Sequence, residues 1–158
     1  MDGIPVKRSQ VFTTELVLPN DTNQLGNLLG GRLMHWIDIA AAIAAQRHCG
    51  RVCVTASVDE LNFLTPIKLG EIVTLQASVN RAFRSSMEVG VVVTAHVLAE
   101  NVMRRANNAY LTFVAIDDQG KPVPVPPVIP ETEDEKRRYE EALARRELRL
   151  RHRQPSSQ

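Results

Sequence analysis

Several things this sequence lacks narrow what it can be. It has two cysteines in 158 residues, Cys49 and Cys53, too few for a disulfide framework. No further cysteine or histidine cluster joins them, so they read as core thiols and not as half of a metal site. No apolar run approaches the roughly 18 residues that cross a bilayer. Met1 to Gln10 holds Asp2, Lys7 and Arg8 with no apolar stretch, so no signal peptide is expected. Charge of one sign is not in excess: the net formal charge is +1, without the basic bias of a chain built to bind nucleic acid. There is no internal repeat and no helix-turn-helix segment. Ser85-Ser86 lacks the Gly-x-Ser-x-Gly setting of a serine hydrolase. The expectation is one globular, reduced, cytoplasmic domain with no metal, no cofactor, no nucleic-acid partner and no membrane insertion. With 44% hydrophobic residues, the length suits one well-buried core.

What is present divides into one apolar helix and several β-prone runs. Gln10 to Leu18 alternates, with Phe12, Leu16 and Leu18 on one face and Thr13 and Glu15 on the other, as a half-buried strand does. Pro19 to Asn27 is polar and turn-rich. After Gly30-Gly31, Arg32 to His48 contains no breaker and is apolar around most of its circumference, which marks a helix enclosed by protein. Beyond Gly50 the period becomes extended: Arg51 to Val58, Glu71 to Arg81, Ser86 to Leu98 and Ala109 to Ile116 predict strands, with Ala82 to Ser85 short enough for a hairpin. One helix followed by a run of strands points to α+β, an antiparallel sheet packed on a central helix. A helix this apolar needs cover on its far side as well, and a second copy supplies it.

The chain ends differently. Residues 122–130 contain five prolines and predict an extended surface connector. Residues 131–153 predict a charged helix with acids early and arginines late, matching the helix dipole. The late arginines are expected to be solvated and salt-bridged, with phosphate contact the lesser alternative. Residues 154–158 are expected to be a disordered tail.

Asp38 is the residue that demands an explanation. It lies between Ile37 and Ile39 in an otherwise apolar helix, where aspartate is a poor interior residue and an unpaired buried carboxylate is disfavoured. A partner such as His35, one turn back, would account for it structurally. A partly desolvated carboxylate suited to general base or nucleophile accounts for it chemically. Gly30 and Gly31 precede the helix, whose first-turn N–H groups can stabilise an oxyanion; a tight loop requiring positive φ is the plainer reading. Asn23 and Asn27 lie on the loop feeding that turn, where an amide orients water or merely closes a turn. Asp38 is seven residues beyond Gly31, about 10 Å along a helix axis. A loop of the same chain therefore need not reach its own Asp38, whereas a site shared across a two-fold interface brings them together. His48 is expected to cap helix carbonyls, and His96 to be a satisfied sheet residue.

Taken as one string, Asn23-Gln24-Leu25-Gly26-Asn27-Leu28-Leu29-Gly30-Gly31-Arg32-Leu33-Met34-His35-Trp36-Ile37-Asp38 is far more specific than its parts. It resembles the acyl-CoA hydrolases of the hotdog superfamily, in the branch of the cytosolic long-chain acyl-CoA hydrolase and its bacterial single-domain relatives. The similarity continues through Arg47-His48-Cys49, Asn62-Phe63-Leu64-Thr65-Pro66, Gly70-Glu71, Ser86-Met87-Glu88-Val89, Val125-Pro126-Pro127 and Arg137-Arg138-Tyr139-Glu140. It implies a hotdog domain over residues 1–121, a curved antiparallel sheet wrapped around a long helix, and sheets paired edge to edge in a dimer, often in a trimer of dimers. It implies hydrolysis of fatty acyl-CoA, with Asp38 catalytic and Asn23 contributed by the opposite subunit. Gly30 and Gly31 would supply backbone N–H groups at the carbonyl, and Arg84, Ser85 and Ser86 would meet coenzyme A. The vertebrate members carry two fused repeats where this chain has one, so both halves of each site must come from identical subunits. A hotdog hydratase or dehydratase, using His35 with Asp38, and a non-catalytic acyl-CoA-binding protein are the alternatives.

Overall fold

The computed structural model describes residues 1–63 and 65–153; the expected tail lies outside them. The elements run β1 (Ile4–Pro5), β2 (Val11–Leu16), α1 (Gly30–Cys49), β3 (Cys53–Phe63), β4 (Ile72–Ala82), β5 (Ser86–Val97), β6 (Val102–Ala115), β7 (Val128–Ile129) and α2 (Glu133–Arg153). Five strands form one antiparallel sheet in the order β2-β4-β5-β6-β3. The expected α+β hotdog arrangement is present, with α1 against one face.

Alternation explains the layering. Along β4, β5 and β6 every second side chain (Val73, Leu75, Val91, Val93, Leu111, Phe113) is buried within the core shared with α1, as the period of two requires. Ala40, Ala41, Ala44 and Ala45 are fully buried; their small size lets the helix lie close to the sheet, while Leu33 and Ile37 fill the wider gap. Shortening Ile37 to alanine is expected to cost about 2–5 kcal/mol. Gly50 ends α1 at φ 69° with its N–H on the Gln46 carbonyl, the left-handed cap that favours glycine.

Four expectations need correction. Strand β3 runs to Phe63 and β6 begins at Val102, so both are longer than Arg51 to Val58 and Ala109 to Ile116. The polar stretch Arg104 to Asn108 conceals a strand because sheet pairing satisfies its backbone whatever the side chains are. On β2 the face holding Phe12 and Leu16 is the open one, at 63% and 51% exposure, while Val11 is buried. The proline-rich connector does run extended, yet it is not merely superficial: Val125 and Val128 are buried, and β7 pairs with β1 in parallel. Finally, the late arginines are salt-bridged as expected, but not all are solvated: Arg151 and Arg153 are exposed, whereas Arg145, Arg146 and Arg149 are half-buried where α2 packs on the sheet. Arg145 grips Glu88 with two bonds of 2.7 and 2.9 Å and covers the Tyr110 ring at 3.7 Å, and Arg149 meets Asp59 at 2.7 Å.

Candidate active site

Asp38 sits midway along α1, half-buried, and its partner is not His35, which is exposed. Thr55 of the edge strand β3 donates its Oγ1 hydrogen to Asp38 Oδ1 at 2.7 Å, the length of a charge-assisted bond. Nothing among the described residues engages Asp38 Oδ2, so one carboxylate oxygen is anchored and the other is available. Thr55 was not singled out from sequence. A threonine in a β-prone run carries no local signal, and only the packing of α1 against β3 brings it to the acid.

The glycines are helical, not a positive-φ loop: Gly30 and Gly31 form the first turn of α1 and neither has φ above zero. Leu29, the N-cap, supplies no side-chain bond, and the first intrahelical bond runs from Leu33 N–H to Leu29 O. The N–H groups of Gly30, Gly31 and Arg32 are therefore the orphan donors of the helix start. A Cβ added at Gly31 would meet nothing within 4 Å. Its glycine is thus explained neither by backbone strain nor by crowding inside this chain.

Asn23 is exposed, and its Oδ1 accepts from Leu25 N–H at 2.9 Å and Asn27 N–H at 3.1 Å. This closes the turn and turns the amide NH2 outward, with no acceptor among the described residues. The turn is moored twice. Leu28 N–H reaches Ile67 O and Leu69 N–H reaches Gly26 O. The 65–71 turn is in turn held by Arg104, which donates to Thr65 Oγ1, Pro66 O and both oxygens of Glu71. Asp21 adds a second anchor, accepting from Leu18 N–H and pairing with Arg32 at 3.2 Å. Asp21, Glu71 and Arg104 are supports that sequence reasoning missed; each pairs across an irregular loop that no periodicity encodes.

Arg84, Ser85 and Ser86 lie on the β4–β5 hairpin. Arg84 is exposed, with its carbonyl held by Val125 N–H; Ser85 O accepts from Ala115 N–H, and Ser86 Oγ accepts from Arg146 at 3.4 Å. The registers Thr55↔Phe113, Met87↔Phe113 and Ala82↔Met87 place the hairpin on the same row of the sheet as Thr55, about 10 Å from it at two strand spacings. His48 does not cap helix carbonyls. It is buried, with Nε2 bonded to Pro126 O at 2.7 Å; burial lowers its pKa, the Pro126 bond opposes this, and Arg8 adds to the lowering. His96 contacts Asn101 Oδ1 at 3.2 Å. Among the described residues no group of three His, Cys, Asp or Glu side chains is placed to hold a metal ion. Nor is any helix among them long and apolar enough to cross a membrane.

Comparison with known proteins decides the family. The model of the thioesterase superfamily matches residues 25–97, from the polar loop to the end of β5. An acyl-CoA thioester hydrolase of Bacillus subtilis, YkhA, is 46% identical over 151 residues, covering 94% of this chain and 88% of its own length. The chain belongs to the thioesterase superfamily. The cytosolic acyl coenzyme A thioester hydrolase of Rattus norvegicus is 41% identical over 142 residues, of which the chain spans 37% of the longer rat protein. A crystal structure of a hexameric acyl-CoA thioesterase superposes with a TM-score of 0.93 at 42% identity, covering 96% of this chain and 97% of the other. The acyl-CoA hydrolase of Staphylococcus aureus, in complex with butyryl coenzyme A, coenzyme A and coenzyme A disulfide, gives 0.90 at 43% identity, with 95% and 92% covered. Mutants of that enzyme with an asparagine, an aspartate or a threonine replaced by alanine also match. Those three residues are separated along their chain by the same intervals as Asn23, Asp38 and Thr55 here.

Proposed function

We propose that this chain hydrolyses fatty acyl-CoA to a free fatty acid and coenzyme A, in a site built from two identical subunits. The observation that carries this reading is the Asp38–Thr55 pair: a carboxylate with one anchored and one free oxygen, on a helix about 10 Å beyond its own glycine turn. A thioester carbonyl seated at the orphan N–H groups of Gly30 and Gly31 of one subunit is out of reach of that subunit's Asp38. The partner's Asp38 meets it across a two-fold axis, together with Asn23 from the glycine side. The names of the relatives and the shared Asn, Asp and Thr intervals support it.

In the proposed reaction the carbonyl oxygen takes negative charge against the helix-start N–H groups, which gain most when the charge is greatest. Asp38 Oδ2 either removes a proton from water or attacks the carbonyl itself; Thr55 holds the carboxylate in both routes. The C–S bond breaks and coenzyme A leaves as the thiol. Arg84, Ser85 and Ser86 hold the nucleotide end, and no cofactor takes part. The exposed edge of β3, with Val54 and Val58, suits sheet pairing in a dimer. The open apolar face of β2 suits a further contact in a trimer of dimers, as does the hexameric structural relative. The cytosolic rat relative supports a cytoplasmic setting.

Subunit exchange tests both activity and sharing. Asn23→Ala and Asp38→Asn chains are each expected to be inactive in release of thiol from acyl-CoA. In a mixed dimer one site carries both mutations and the other is intact, so activity returns to about half the wild-type level per mixed dimer. Mixed dimers that form and stay inactive would place the site within one chain.

A further inference from the structure

At the C-terminal end of α1, Cys49 and Cys53 face each other with sulfurs 3.3 Å apart. Cys49 is half-buried and Cys53 is buried. Between them the chain reverses through the left-handed Gly50, so the helix end and the start of β3 are held opposite one another. Both thiols also lie within reach of the Arg51 carbonyl, at 3.7 and 3.4 Å. Nothing in the proposed hydrolysis uses them.

We infer that Cys49 and Cys53 form a reversible thiol–disulfide site, oxidised by a peroxide, whose closure shifts β3 against α1 where Thr55 holds Asp38. A disulfide requires the sulfurs to close to about 2.05 Å, a movement of little more than 1 Å from their 3.3 Å separation. The chemistry is asymmetric in the direction the pair allows. The hydrogen bond from Cys53 holds the Cys49 thiol down to about 6, while the same contact and burial push Cys53 up. The more exposed sulfur is thus the better thiolate, and the thiolate is the nucleophile.

Cys49 as thiolate attacks one peroxide oxygen, breaking the O–O bond, to give a sulfenic acid and hydroxide. Cys53 then attacks the Cys49 sulfur; the S–S bond forms, the S–O bond breaks, and hydroxide leaves to become water with the proton from Cys53. Two thiols and one hydrogen peroxide yield one disulfide and two waters, the two electrons passing from sulfur to oxygen. A dithiol reductant reverses it by exchange. Because Cys53 stands two residues before Thr55 on β3, closure transmits directly to the Thr55–Asp38 bond.

The effect on turnover rests on the proposed hydrolysis; the disulfide itself does not. Full-length protein is treated with hydrogen peroxide, alkylated, and mapped by peptide mass under non-reducing conditions, and kcat for acyl-CoA is measured before treatment, after it, and after dithiothreitol. The expected result is one cross-linked peptide pair joining Cys49 to Cys53, a kcat about tenfold lower, and recovery of both thiols and kcat on reduction. A Cys49→Ser protein is expected to keep its kcat through the same treatment. Thiols that remain free, or Cys49 found only as sulfinic acid or in intermolecular disulfides, would overturn the site. A Cys49–Cys53 disulfide that leaves kcat unchanged would overturn the coupling to Thr55. Absence of hydrolysis in the untreated protein would refute the proposed function instead, while the peptide map still decides the disulfide.

Discussion

Replacing Thr55 by valine removes the hydroxyl that anchors Asp38 while preserving the β-branched shape that suits a strand. The bond is short, at 2.7 Å, and its acceptor is a carboxylate. Bonds to charged groups contribute about 1.5–3 kcal/mol when shielded. Thr55 is exposed in the single chain, so a value at or just below the bottom of that range, about 1–2 kcal/mol, is the expectation. If that energy serves to orient Asp38 for the reaction, kcat/KM falls about 5- to 30-fold. The assay is thiol release across a range of acyl-CoA concentrations, with urea unfolding alongside. The unfolding free energy should fall by no more than about 1–2 kcal/mol, so the chain stays folded under the assay. Thr55→Ser should restore most of the rate, since it returns the donor without the methyl. A Thr55→Val protein that keeps kcat/KM within about twofold would show that Asp38 needs no such anchor, and the site drawn around this pair would be wrong.

Arg84→Ala is expected to raise KM for acyl-CoA about tenfold with little change in kcat, as loss of one charge-assisted phosphate contact would; a fall in kcat alone would remove Arg84 from the nucleotide site. Arg145→Met leaves Glu88, 1% exposed, without its bidentate partner, and is expected to lower unfolding free energy by about 3–5 kcal/mol. The Glu88→Gln, Arg145→Met double variant should recover part of that loss in urea unfolding; no recovery would mean the contribution is packing on Tyr110 and not charge. His48 gives a pH dependence. Its folded pKa lies below the free value of 6.5 through burial, so the unfolded chain binds the extra proton first as pH falls. Stability is full above 6.5 and declines as pH drops from there toward the lowered folded value. The native protein should therefore lose more Tm between pH 7.5 and 5.5 than a His48→Gln variant, and equal losses would assign the acid sensitivity elsewhere.

The sequence by itself determined the class of fold, because the two periodicities that specify it are local. The largely apolar stretch Arg32 to His48, followed by Gly50, and the β-prone runs after it specify one helix and a set of strands. It also singled out Asp38, since a carboxylate among isoleucines is anomalous wherever the helix lies. Tertiary structure decided what surrounds that acid. Thr55 comes from an edge strand of the chain's own sheet, and Arg104 on β6, paired with Glu71 just before β4, steadies a loop that no periodicity encodes. Phe12 and Leu16 read as core from their alternation, yet the pleat turns Val11 inward and leaves them open. The arginines of α2 likewise carry no sign of their partners, because an ion pair such as Arg145 with Glu88 joins residues 57 positions apart. Periodicity reports which side of an element is apolar; which side faces the core, and what a charged group finds there, is settled only when the elements pack.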